Sequence, residues 1–350
     1  MKRISKLILA SVFICGCPVF AQESATQECE RERIIDPYIS VFSISPTQFY
    51  SVKNGGLFSA VLLGKANTKT TGEKVNVKKS ITSDTDIQNF FFSGVSAPLK
   101  NRIQIGGTIE KQTLSTSVKI TQGQQNAKTS EKSDATEFGP FAAIHLNSKL
   151  SLGVQLAFRS EQIDPKEGNG AFFSFMTFNP SLLYHNEYME VVLFYTPTIR
   201  LIEEGGSIGE AGTVGVLSRF WLTNDISIGG SLTHNRESEL SKETRKNSAS
   251  FALLSEYQLE KEFFIGASIE HTTASAKSGL DKAPDTIASN QIILNEFYYL
   301  EKEIRLGVGF YYTFNAEETG TGIDDNTNEK IKITTSAAAW GIAMSVNYIF

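Results

Sequence analysis

Cysteine is nearly missing, with three residues in a chain of 350. Cys15 and Cys17 fall close to the N-terminus, which leaves Cys29 alone further along. A lone thiol closes no internal disulfide, so no disulfide framework is expected. Histidine is scarce as well: His145, His185, His234 and His271 are the whole set. No pair of histidines or carboxylates has metal-ligand spacing. Neither a Gly-x-Ser-x-Gly elbow nor a phosphate-binding loop occurs. Ser231 and Glu237 lie near His234, but nothing fixes a nucleophile beside a base. Asp324, Asp325 and Glu329 read as a solvated acidic loop rather than a calcium site. The chain is therefore not expected to be an enzyme, and no metal or cofactor is expected. A basic excess is lacking too. The net charge is −5, which argues against a nucleic-acid partner. Beyond the N-terminal stretch there is no apolar run long enough for a spanning helix. The mean hydropathy of −0.14 fits a water-soluble chain. It fits equally a membrane barrel in which only alternate residues meet lipid.

What is present starts with a positive cluster, Lys2, Arg3 and Lys6, then an apolar stretch from Leu7 to Cys17. Val19-Phe20-Ala21 before Gln22 has the form of a cleavage site. Residues 1–21 are read as a secretory signal peptide. Acylation of Cys17 is the alternative reading.

Further on, the hydrophobic period is two. Ile304, Leu306, Val308, Phe310, Tyr312 and Phe314 alternate with Arg305, Gly307, Gly309, Tyr311 and Thr313. Leu150 to Arg159 and Met189 to Tyr195 repeat the pattern. Short polar turns, such as Asn147-Ser148-Lys149 and Thr223-Asn224-Asp225, alternate with longer Lys-, Thr- and Ser-rich connections, such as 65–86, 121–134 and 317–330. Short turns at one end and long loops at the other are the layout of an outer-membrane barrel. The fold class is all-β: a closed antiparallel transmembrane barrel of about fourteen strands over residues 56–350. Strand boundaries read this way leave room for twelve to sixteen. Both edges of a sheet in lipid must find partners, so the last strand is expected to pair with the first, near 57–64.

The chain ends Trp-Gly-Ile-Ala-Met-Ser-Val-Asn-Tyr-Ile-Phe. Trp340 is assigned to one aromatic girdle, and Tyr348 and Phe350 to the other. This ending resembles the C-terminal signal of outer-membrane barrels, with Ser345 in place of the usual glycine. The resemblance implies barrel-assembly machinery as a partner, beside outer-membrane lipid.

Residues 22–55 precede the barrel. Glu28 to Arg33 reads as a solvated leader, but Phe42, Phe49 and Tyr50 are too apolar for a free tail. Ser45-Pro46 opens a short helix and Gly55-Gly56 closes it. A plug folded into the barrel is the expectation, with an extra strand at 37–44 or a periplasmic cap as alternatives. On the inner face the expected ligand-lining residues are Phe58, Leu62, Phe90, Phe92, Phe173, Phe175 and Phe194, with Val192 and Leu254. Either a packed plug or a greasy ligand accounts for such a lining. Inward charges (Arg102, Glu110, Arg159, Glu190, Arg200, Arg219, Glu256, Glu270 and Arg305) read as structural bridges.

An N-terminal plug before about fourteen strands resembles the long-chain fatty-acid and aromatic-hydrocarbon transporters of outer membranes. The resemblance is architectural and covers residues 37–350. Ser45-Pro46-Thr47 stands where that family often has Asn-Pro-Ala. The family's third strand is kinked to open a side exit. Here the corresponding strand has Gly106-Gly107 and no proline, while Asn179-Pro180 and Pro197 interrupt later strands. The resemblance implies passive uptake of a hydrophobic small molecule across the bacterial outer membrane. A surface barrel acting as an adhesin or structural protein, or a general diffusion porin, are the alternative readings.

Overall fold

The computed structural model describes residues 55–349, apart from the short segments 75–76, 100–101, 123–124, 166–170, 187, 204–208, 224, 240–243, 261–262, 278–284, 301–303 and 324–329. The expected signal peptide and plug, with Phe42, Phe49 and Tyr50, lie outside the described residues, as does Phe350.

Fourteen strands form one closed barrel. They are β1 (Gly56–Lys74), β2 (Val77–Val95), β3 (Ile103–Gln122), β4 (Gln125–His145), β5 (Leu150–Pro165), β6 (Ala171–His185) and β7 (Met189–Glu203). The other half comprises β8 (Gly209–Trp221), β9 (Ile226–Glu239), β10 (Thr244–Glu260), β11 (Phe263–Lys277), β12 (Asp285–Tyr299), β13 (Ile304–Ile323) and β14 (Lys330–Ile349). Each strand pairs with the next in sequence, and β1 pairs antiparallel with β14 from Gly56↔Ile349 to Glu73↔Lys332. No strand edge is left open, as a sheet in hydrocarbon requires. Gly55 leads into β1 with φ 91°, a left-handed conformation that a side chain would strain.

The strand number and the expected first-to-last closure agree with the structure. The loop lengths do not. Residues 65–86, expected as a loop, continue β1 and β2 until Lys74 pairs with Val77. Residues 121–134 likewise extend β3 and β4 to the pair Gln122↔Gln125, and β13 and β14 run on to Ile323↔Lys330. These extensions are rich in Thr, Ser and Lys on both faces. Beyond lipid, the outer face has no need to be apolar, so the backbone ladder persists after the hydrophobic alternation has ended.

Side chains alternate strictly between two environments. On β14, Trp340, Ile342, Met344, Val346 and Tyr348 are exposed, while Ala343, Ser345 and Asn347 are buried. Leu57, Val61 and Leu63 on β1, and Leu152, Val154, Leu156 and Phe158 on β5, continue the exposed apolar belt. From Trp340 to Tyr348, at about 3.3 Å per residue and a tilt of about 45°, the belt is roughly 19 Å tall. Among the described residues no helix is long and apolar enough to cross a membrane; the strands supply the lipid-facing surface.

Glycines admit close ring contacts at several points of the inner face. A Cβ on Gly341 or Gly64 would overlap the ring of Tyr311, which lies across both where β14 meets β1. Gly215 is covered by the ring of Phe194 in the same way.

Candidate functional site

The inner wall is more polar than the sequence implied. Phe58 is buried there, between its cross-strand partners Ser93 and Asn347. Leu62 is half-buried and packs against Ala66, Ile87 and Leu114. Phe194 is buried with Leu183, Val192 and Leu217, and Leu254 is also buried. Phe175 is half-buried and pairs with Arg159. The side chain of Phe173 lies outside the described residues.

Phe90 and Phe92 correct the expected phase. They are 46% and 36% exposed, whereas Phe91 between them is 3% exposed. The inner set on β2 is Ile87, Asn89, Phe91, Ser93 and Val95. A phase change of one residue carries every second side chain to the other face. Phe90 and Phe92 therefore belong to the outer belt.

Around the apolar patches the inner wall carries hydrogen-bonded polar groups. Arg219 forms an ion pair with Glu256, and Ser227 Oγ donates to Glu256 Oε2 at 2.8 Å. Glu190 is the cross-strand partner of Arg219 and is also buried. Asn89 Nδ2 donates to Glu110 Oε1 at 2.9 Å, and Arg159 Nη2 donates to Gln112 Oε1 at 2.9 Å. Glu270 accepts from Thr272 Oγ1 at 3.0 Å. With its amide turned to satisfy both groups, Asn347 accepts from Arg305 Nε at 3.1 Å and Nη2 at 2.9 Å. The expected inward charges are thus inside, except that Arg102 is exposed in a turn and the side chain of Arg200 is outside the described residues. Outside the belt, Lys132 Nζ and Thr113 Oγ1 each donate to the Asp134 carboxylate at 2.6 Å. These hydrogen bonds, the one from Lys132 first, hold that carboxyl below its ordinary pKa range.

Two of the breaks in the wall's ladder lie at proline, beside register shifts between β10 and β11, β12 and β13, and β13 and β14. Between β6 and β7 the pairing stops at Thr177↔Thr198 and resumes, in the same register, at Ser181↔Phe194. That register would set Phe178 opposite Pro197 and Pro180 opposite Tyr195. On their other sides Pro180 pairs with Val154 and Pro197 with Gly212. Both missing N–H groups therefore fall on one seam. The patch of Leu183, Val192, Phe194 and Leu217 adjoins this seam on the inner face. Between β4 and β5, pairing skips from Phe138↔Phe158 to Phe141↔Gln155, past Pro140. There Gln155 Nε2 reaches Thr108 Oγ1 at 3.0 Å and the Gly139 carbonyl at 3.5 Å, stitching the break. β3 is paired straight through Gly106 and Gly107 on both sides, so no break occurs at that strand. Neither seam break was placed from sequence beyond the prolines themselves, which were the available signal.

The histidines stand on separate strands. His234 is exposed on the outer face and Ser231 is buried on the inner one, so the two cannot act together. His271 Nδ1 lies 2.9 Å from Asn290 Oδ1 and His145 Nδ1 lies 3.3 Å from Ser151 Oγ. Among the described residues no group of three His, Cys, Asp or Glu side chains is placed to hold a metal.

No protein-family model matches the sequence, and no curated protein does. Solved structures do match. A Pseudomonas aeruginosa FadL homologue superposes with a TM-score of 0.60 at 9% identity, covering 89% of this chain and 94% of that one. The monoaromatic hydrocarbon channel TodX, as its deltaS2S3 mutant, gives 0.58 at 10% identity over 89% and 94%. The monoaromatic hydrocarbon channel CymD gives 0.52 at 9% identity over 88% and 91%. At such identities the likeness is one of fold, and the chain has the closed transmembrane-barrel fold of these channels.

Proposed function

We propose that this barrel mediates passive uptake of a hydrophobic small molecule across the bacterial outer membrane. The observation that carries the reading is the apolar patch of Leu183, Val192, Phe194 and Leu217 beside the proline-broken seam of β6 and β7. An apolar molecule in the lumen gains most from contact with such a patch. The adjacent backbone has fewer rungs to break and separates at lower cost than the same seam would if fully paired. Fold similarity to a FadL homologue and to two channels described as carrying monoaromatic hydrocarbons supports the same direction. Phe58, Leu62, Phe175 and Phe194 are the aromatic and aliphatic groups assigned to the ligand path. Outer-membrane lipid on the belt, and the assembly machinery at the C-terminal strand, are the partners of this reading.

The second reading is a porin for polar solutes. It is favoured by the number of inward polar side chains, among them Gln104, Thr108, Gln112, Ser250 and Gln291. Uptake by a Gram-negative host expressing the protein separates the two. A labelled monoaromatic hydrocarbon should enter faster than in empty-vector cells, and Phe194→Asp should cut that gain severalfold in a correctly assembled barrel. Faster entry of a labelled disaccharide instead, with steady ion conductance in planar bilayers, would reject hydrophobic uptake in favour of the porin.

A further inference from the structure

On the opposite flank of the barrel, the outer surface changes character along one line. Tyr312 pairs with Trp340, and Trp340 with Lys65. Lys65 pairs with Asp86, and Asp86 with Ser115. Ser115 pairs with Lys132, and Lys132 with Asp164. All of these side chains are exposed. They make one register row that circles from β13 to β5. Below it lies the apolar belt of Leu63, Ile109, Phe138 and Phe158. Above it, Asn67, Asp84, Ser117 and Ser130 form the next outward row.

Between these rows the outer surface is concave, enclosing a groove of about 790 Å³. Its chemistry is mixed. Lys65 and Lys132 supply two cations against three outward carboxylates, Asp84, Asp86 and Asp164. Part of the set is already aligned across strands: Lys65 Nζ lies 3.2 Å from Asp86, and Asn67 Nδ2 donates to Asp84 at 2.5 Å. The excess of acceptors disfavours a bare anion and favours a ligand rich in hydroxyl donors. Trp340 and Tyr312 close one end with ring surface suited to the apolar face of a sugar. The volume is in the range of a bound small molecule.

Position narrows the ligand further. The groove begins where the apolar belt stops, at the Trp340 and Tyr312 girdle, which is the level of lipid headgroups. We propose that this outer groove binds the saccharide headgroup of a membrane glycolipid, whose acyl chains lie along the belt below. Carboxylates and the Asn67 amide meet the sugar hydroxyls, and the girdle rings meet a sugar face. The inference rests on the membrane placement and is independent of what crosses the lumen.

The test titrates the full-length protein in detergent with a fluorescently labelled, neutral, deacylated oligosaccharide headgroup, and separately with the intact neutral glycolipid that carries it. Both should bind, the intact form at least tenfold more tightly. The D84A/D86A double variant should weaken both at least tenfold. His271→Ala, exposed on β11 away from the groove, should change neither. Inorganic phosphate should not displace the oligosaccharide. Heat-modifiable migration on gels checks that each barrel is folded, and Asp164→Ala, at the far end of the row, provides a second variant if the first fails to assemble. Equal binding by wild type and groove variants, no binding of the oligosaccharide, or its displacement by phosphate would overturn the saccharide site. Equal affinity for deacylated and intact forms would overturn its assignment to a membrane lipid.

Discussion

Pro180 and Pro197 face the same seam of the barrel wall from opposite sides, one on β6 and one on β7. Neither can donate to the ladder there. The three residue pairs that the register would place between Thr177↔Thr198 and Ser181↔Phe194 are not formed. Changing both prolines to valine restores two donors in backbone that is already extended. At about 0.5–1.5 kcal/mol for each net hydrogen bond, the barrel should become about 1–3 kcal/mol more stable. Uptake of a hydrophobic probe should fall severalfold at the same time. The midpoint of the heat-modifiable gel shift and the uptake rate, measured on the same variant, check the two halves of this expectation.

Removing one partner of the Arg219–Glu256 pair should cost more than removing both. Arg219→Met leaves the Glu256 carboxylate buried without its ion-pair partner, with Ser227 still donating to it. Breaking a buried pair from one side costs about 3–5 kcal/mol, because a charge is stranded. The double variant R219M/E256L should recover most of that loss. Urea unfolding of the refolded barrel reads both values, and a double variant as unstable as the single would contradict the pairing.

Gly341 lies under Tyr311 where the last strand meets the first. Gly341→Val pushes a side chain into the space the ring occupies, and overpacking of this kind costs about 1–3 kcal/mol. Adding Tyr311→Ala should relieve it. The check is the folded fraction after refolding into detergent: lowest for Gly341→Val, intermediate for the pair. No loss in the single variant would mean that the ring does not hold this seam.

The corrected phase of β2 makes a separate prediction. Phe90 meets lipid and Phe91 faces inward. Phe90→Arg on the lipid side should cost up to about 2–4 kcal/mol, scaled by its depth in the bilayer. A photoreactive residue at position 90 should crosslink to lipid acyl chains, and one at position 91 should not. Equal crosslinking from both positions would contradict the alternation.

The same stretch shows where sequence reading succeeded and where it stopped. Strand number, the short turns and the pairing of 57–64 with the C-terminal strand were legible, because alternation such as Trp340 to Tyr348 has one consistent phase. Phe90-Phe91-Phe92 has no such phase: three phenylalanines look alike in either register. The inner face is marked instead by Asn89 and Ser93, whose polarity fits a barrel interior. The extensions from Lys65 to Lys74 and from Val77 to Asp86 were read as loop because the outer face there is polar and the buried inner face is rich in Thr and Ser, which erases the hydrophobic pattern while leaving the ladder intact. The seam between β6 and β7 was half legible. Each proline announced a missing donor, but only the register shows that the two fall on the same side. The outer groove was not legible at all, since Tyr312, Lys65 and Asp164 come together through pairings across seven strands.

The most direct measurement is of solvent and oxygen access along β14. Single nitroxide labels at each position from 342 to 347, in a chain whose own cysteines are replaced by serine, are read by electron paramagnetic resonance in lipid bilayers. The expected result is a period of two, with 342, 344 and 346 open to oxygen dissolved in the bilayer and 343, 345 and 347 shielded from it. A flat profile, or even-numbered positions more open to a water-soluble nickel complex than to oxygen, would contradict a closed barrel with its apolar belt in lipid.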